Sequence, residues 1–192
     1  MKTRSLSLIL LMLSSVTWAQ VGELYNADLD DKTSITNPAK AMKNAEGQWL
    51  AFSIPTVEGT RSPCCWKGKW NGMGDVGCNL GKSYHSYGTR SDSPFDENAI
   101  VLGKIKDGQV ENLLVVGESC PVDADGARVT WIADVDEKHG LDWLERAAKK
   151  DDDHSALHAL AIYRGKSAGK RLYSLAKTND DDMSENAIFW LG

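Results

Sequence analysis

From Asp151 to Gly192 the chain twice sets three aspartates ahead of a short apolar stretch, and this pattern constrains the fold more than any other. Asp151–Asp153 precede HSALHALAIYRG, Asp180–Asp182 precede MSENAIFWLG, and KSAGKRLYSLAKTN lies between. Aligning Ala159-Leu160 with Ala187-Ile188 gives an offset of 28 residues, inside the range of periods that signals stacked repeats. Leu157, Leu160 and Ala161 fall on one helical stripe; Ala168, Leu172, Leu175 and Ala176 fall on a second; Ala187, Ile188 and Leu191 fall on a third. Leu141, Leu144, Ala147 and Ala148 mark a further helix upstream, with Lys149-Lys150 suited to its last turn. Helices of roughly ten residues are not stable alone in water. Neighbours must hold them, and the expected repeat core is Leu157, Leu160, Leu172, Leu175, Ile188 and Leu191.

The N-terminus says where this happens. Lys2 and Arg4 precede the apolar run Leu6–Val16, and Thr17-Trp18-Ala19 supplies a small-x-small cleavage site, the pattern of a secretory signal peptide. The run is about 11 residues against the ~20 of a spanning helix, so cleavage after residue 19 and no stable membrane anchor are expected. The destination is the periplasm or the outside of the cell. The net charge is −5 with no basic stripe, which gives nucleic-acid binding no electrostatic footprint.

Four cysteines, Cys64, Cys65, Cys78 and Cys120, lie in the exported part. An even number in an oxidising compartment reads as two disulfides. Adjacent cysteines pair only with strained geometry, which sets Cys64–Cys65 aside. Of the two pairings left we lean to Cys65–Cys78 with Cys64–Cys120; the crossed alternative stays open. No C-x-x-C is present for a zinc site or a redox pair.

Between these ends the chain reads as strands. WLAFSIPTV from Trp49 alternates Trp49, Ala51, Ser53 against Leu50, Phe52, Ile54, and Pro55 ends the strand or pushes it to an edge. AIVLGKIK and QVENLLVV flank Asp107-Gly108, a strong hairpin signal. ARVTWIADV follows the turn at Asp123–Gly126. Together they predict a four-stranded antiparallel meander stapled near Cys120. The organisation expected is a signal peptide (1–19), a polar and partly mobile segment (20–47), a disulfide-stapled antiparallel β domain (48–138) and α-helical repeats (139–192). The fold class is α+β.

Ala159-Leu160-Ala161 and the closing Ala187-Ile188-Phe189-Trp190-Leu191-Gly192, with Leu172 and Leu175 between them, resemble the short HEAT-type repeats of the phycobilisome-lyase-like kind. WLAFSIP, the Cys64-Cys65-Trp66 triplet and SCPVDADG with VTWIADV resemble the cysteine-containing N-terminal region of exported bacterial HEAT-repeat proteins. The resemblance implies helical pairs that stack and bind partners. The chain departs from it by stopping at Trp190-Leu191-Gly192, inside a first helix and without a polar cap. A truncated gene is the favoured reading over a docking end or a helix folded back on the sheet.

The residues that could carry chemistry also have plainer readings. Asp123-Ala124-Asp125-Gly126 resembles the opening of a calcium loop, but a hairpin turn explains it more simply. His154 and His158 are spaced to share a metal, yet no H-E-x-x-H accompanies them. Ser83 and His85 are close in sequence, which makes no triad; Gly72-Met73-Gly74 lacks the setting of a dinucleotide site. Trp66, Trp70, Tyr84 and Tyr87 suggest a sugar or peptide surface, or a cover over the cysteines. The expected function is therefore non-catalytic, cofactor-free protein–protein interaction, with Tyr163, Arg164, Tyr173 and Trp190 at the contact surface and self-association through the open last helix in view. The partner is not named by the sequence. The alternative is a secreted enzyme or enzyme inhibitor working through the Cys64–Arg90 loop.

Overall fold

The computed structural model describes residues 23–31, 35–66, 76–82, 86–89, 92–150 and 154–192. The signal-peptide segment lies outside them. The polar region expected to be partly mobile contributes β1 (Glu23–Tyr25), β2 (Asp28–Asp31) and the short helix α1 (Pro38–Ala41). Pro38 takes the first helical position there, and the Asn37 side chain accepts a hydrogen bond from the Ala39 N–H. Pro lacks the N–H that this position leaves unused.

The main sheet joins β2, β10 (Arg128–Ile132), β3 (Trp49–Pro55), β7 (Asn98–Lys106) and β8 (Gln109–Gly117), in that spatial order. The β7–β8 hairpin falls where Asp107-Gly108 predicts it, with both residues at positive φ (52° and 66°). Glu46 accepts hydrogen bonds from the backbone N–H groups of both, at 2.9 and 3.2 Å. Pro55 ends β3 rather than moving it to an edge, since β3 runs between β10 and β7.

The antiparallel meander is overturned. β3, β7 and β8 are antiparallel, but β10 runs parallel to both β3 and β2. After β8 the chain leaves the sheet, passes through β9 (Pro121–Asp123) in a separate parallel sheet with β1 and β5 (Cys78–Asn79), and re-enters on the far side of β3. A third pairing joins β4 (Cys64–Trp66) to β6 (Ser86–Gly88), antiparallel.

Strand alternation divides the main sheet into two buried faces. Leu50, Phe52, Ile54, Val101, Ile105, Leu113 and Val115 point to one, and α2 (Glu137–Ala148), α3 (Ser155–Ile162), α4 (Lys166–Leu175) and α5 (Asp181–Leu191) cover it. Trp49, Ala51, Ile100, Leu102, Val116, Val129 and Trp131 point to the other, against the cysteines. Trp143 of α2 meets Phe52 edge-on, with ring centroids 5.4 Å apart, and its indole N–H donates to Met42 Sδ at 2.8 Å. Gly103 makes room for that ring, since a Cβ there would lie 2.6 Å from Trp143 Cη2.

The helices are not HEAT-like repeats either. Helix α3 is buried from Ser155 through Leu160 and packs against β8 as well as α2, α4 and α5. A helix apolar on all sides belongs in a core, not in a two-faced solenoid unit. The 28-residue alignment therefore joins unlike environments. Ala159 and Ala187 are both buried, but Leu160 is 1% exposed and Ile188 57%. Leu157, Leu172 and Leu175 are core residues as expected, whereas Leu191 is 44% exposed, and Met183 and Ala187 carry the buried side of α5. Arg171 of α4 pairs with Asp142 and Glu145 of α2, each at 2.5 Å. The second aspartate run acts as a helix approach: Asp180 Oδ1 caps the Met183 N–H at 3.0 Å. The first run lies outside the described residues.

Candidate functional site

Both disulfides are formed, Cys64–Cys120 and Cys65–Cys78. They stack against each other, with Cys78 Sγ 3.9 Å from Cys120 Sγ, and fasten β4 to β5 and to the chain entering β9. Such bonds persist in oxidising, non-cytoplasmic environments. No helix among the described residues is long and apolar enough to cross a membrane.

Fixing β4 also fixes its partner β6, and β6 carries Tyr87. That side chain reaches around the β8 edge of the sheet, from the disulfide layer to the helical layer. Its hydroxyl donates to the Val115 carbonyl at 2.5 Å and lies 3.1 Å from His158 Nδ1 on α3. The single hydroxyl hydrogen goes to the carbonyl, which can only accept, so His158 Nδ1–H donates to the tyrosine. This fixes the tautomer and leaves Nε2 as a lone-pair acceptor, with no protein partner among the described residues. Trp190 of α5 stacks on the imidazole, with centroids 4.5 Å apart and planes at 17°.

Around these three rings lies a cleft of ≈ 710 Å³, bordered also by Trp49, Leu80, Lys82 and residues Asn112–Leu114 of β8. The volume is in the range of ligand-sized clefts. His158 is only 6% exposed, and burial pulls its imidazole down to about 4 from an ordinary value of 6.5. It is neutral at pH 7 and a weak base, suited to accepting a hydrogen bond rather than abstracting a proton.

That burial makes acid destabilising. The folded pKa lies below the unfolded one, so between pH 6.5 and about 4 the unfolded chain binds the extra proton. Stability from this group is intact above pH 6.5 and falls as the pH drops through that window, by about 3 kcal/mol in full at 1.36 kcal/mol per pKa unit. Urea unfolding at pH 7 and pH 4 should show a loss that His158→Gln reduces by about 2–3 kcal/mol. An equal acid loss in both proteins counts against a buried neutral His158.

Other expected site residues fare differently. Tyr163 is withdrawn from the contact surface: it is 7% exposed, packs in the helical core and forms a bridge to Thr56. Arg164 is exposed, with its backbone N–H bonded to the Pro55 carbonyl at 2.8 Å. Tyr173 stands 55% exposed beneath Lys177. Trp190 turns inward to the cleft, while Ile188, Phe189 (72% exposed) and Leu191 of the same helix face solvent. His154 and His158 both border the cleft, and His154 Nε2 lies 3.5 Å from Asp182 Oδ2.

The Asp123–Gly126 segment is a turn, with Asp125 and Gly126 at positive φ (53° and 78°). Asp123 accepts from the Asp125 N–H and from the Asn26 and Asn79 side chains. These bonds, that of Asp125 foremost, hold its carboxyl below the usual range. Of the aromatic loop, Trp66 and Tyr87 are described; Trp70, Ser83, Tyr84, His85, Gly72, Met73 and Gly74 lie outside the described residues.

No protein-family model, no curated protein and no solved structure matches this chain. The function must be read from the site itself.

The sequence reading missed His158 as a site residue because its partners come from 71 residues upstream, Tyr87, and from the last turn of α5. One signal was present: a histidine set within ALHALAI, an otherwise apolar helix, must find a polar partner when buried.

Proposed function

We propose that this protein is an exported, non-catalytic module that binds another polypeptide through the end of α5 and the cleft beside it, in the periplasm or outside the cell. The observation that carries this is the exposure of Ile188, Phe189 and Leu191 next to Trp190, which lines the cleft. Contiguous exposed apolar side chains rimmed by polar ones mark contact surfaces. Here Glu185, Asp181 and Asp182 supply the polar rim on the same helix. The neutral, weakly basic His158 supports binding over turnover, and the cross-linked β4–β5 wall keeps the cleft's shape without a partner, which lowers the ordering cost of association.

A photo-cross-linking residue at position 189, introduced in the native host, should give discrete adducts with exported polypeptides or with a second copy. Adding Ile188→Asp should abolish them while circular dichroism stays unchanged. No adducts from the folded parent, or adducts that persist in the Asp variant, would contradict the reading.

A further inference from the structure

Helices α4 and α5 form a hairpin whose outer surface carries two stripes of opposite charge. The short connection 176–180 makes them antiparallel neighbours. Lys166 and Lys170 of α4, and Lys177 just after it, are exposed, and the helix has no acid. Asp181, Asp182 and Glu185 of α5 are exposed, and that helix has no cation. Among the described residues none of the three lysines, nor Asp181 or Glu185, is in a salt bridge. Apolar side chains lie between the stripes. Ser184 Oγ donates to the Ala176 carbonyl at 2.8 Å, which sets the level of one helix on the other. One turn from that contact Tyr173 comes level with Ile188, and two turns from it Gly169 comes level with Leu191. All four residues are exposed, and Lys177 Nζ lies 4.1 Å from the centre of the Tyr173 ring.

Gly169 is an independent sign that something approaches this face. Glycine inside a helix is destabilising relative to alanine, and close approach of another group is a common reason to keep it. Its own chain does not require it here, since nothing lies within 4 Å of where a Cβ would stand. The charges select the occupant. A basic segment would meet the lysines of α4, and an acidic one the carboxylates of α5. A second copy, turned by a half-rotation about an axis parallel to the two helices, lays α4 on α5 and α5 on α4, so both stripes meet their opposites. The same rotation sets Tyr173 against Ile188 of the second copy, places Leu191 over its Gly169, and brings Lys177 opposite its Glu185.

We propose that the α4–α5 hairpin is a two-fold interface on which this chain pairs with a second copy of itself. Tyr173, Ile188 and Leu191 form its apolar centre over Gly169, and a Lys177–Glu185 pair closes each side of the axis. Every contact occurs twice in such an interface, so one substitution alters two of them. This proposal rests on the docking reading above and names the partner.

The test is a charge exchange, read by analytical ultracentrifugation of the disulfide-intact protein. The parent should dimerise in the micromolar range. Lys177→Glu and Glu185→Lys, each folded by circular dichroism, should each weaken the dimer by at least about tenfold, since two opposite-charge contacts become like-charge ones. An equimolar mixture of the two variants should recover mixed dimers, because the changed side chains then face each other with opposite sign, as do the unchanged ones. A parent that stays monomeric throughout that range, single variants that dimerise like the parent, or a mixture that stays monomeric overturns self-pairing. If it falls while the cross-linker at position 189 still captures other exported polypeptides, the docking reading stands without it. If no adducts form either, both fall.

Discussion

Replacing Trp143 with Ala should cost about 3–5 kcal/mol, the range for truncating a fully buried aromatic side chain. Trp143 is the largest of the fully buried side chains, and it sits where the helices meet the sheet. Its ring packs on Phe52, fills the space that Gly103 leaves open, and donates its N–H to Met42 Sδ. None of these partners can close the void, since strands and helix are fixed by their own hydrogen bonds. Urea unfolding monitored by far-ultraviolet circular dichroism and by fluorescence should show one transition, shifted to lower urea in the variant. If the helical signal and the sheet signal separate, the two layers do not share a core.

The second large effect comes from the cross-links. Cys64–Cys120 spans 56 residues and Cys65–Cys78 spans 13. Loop-closure entropy then assigns about 4 kcal/mol to the first and about 3 kcal/mol to the second. The two loops overlap, so the losses should not add. A Cys64→Ala, Cys120→Ala double variant should therefore unfold earlier than the Cys65→Ala, Cys78→Ala pair, although both lose a buried bond. The reverse order would mean that native packing around β4 and β5, rather than chain entropy, sets their worth.

The cysteine pairing matters beyond stability. Losing Cys65–Cys78 frees β5 from β4, and β4 positions β6 and Tyr87. The hydroxyl that fixes the His158 tautomer then has no rigid support, and the cleft should lose its shape before the fold is lost.

Much of the local structure could be read from the chain. The β7–β8 hairpin follows from two apolar runs around Asp107-Gly108, because only a narrow set of two-residue turns matches the twist of paired strands. Alternation in β3 correctly separated Leu50, Phe52 and Ile54 from Trp49 and Ala51, since side chains of a strand must take opposite faces. Helix positions followed from the stripes in α2 and α4. What failed was placement. A sequence carries no local sign of whether ARVTWIADV pairs with β8 or crosses to β3, because its pairing partner is set by the path through β9 and the Cys64–Cys120 bond. A stripe reading of α3 failed for a related reason: the residues off the stripe are buried too, against the sheet and against α5. The repeat-like spacing of Ala159 and Ala187 is real in the sequence, but the two alanines face different neighbours.

The cleft was legible only in fragments. Trp190 and Tyr87 stood out as aromatics, Tyr163 stood out equally and is buried, and His158 was visible only as a metal candidate.

Native-state hydrogen exchange on the disulfide-intact protein tests the central claim most directly, that sheet and helices form one body. Amides of α3 and of the central strands β3 and β7 should exchange only through global unfolding, with the same free energy. Helices that exchange together, ahead of an intact sheet, would contradict it.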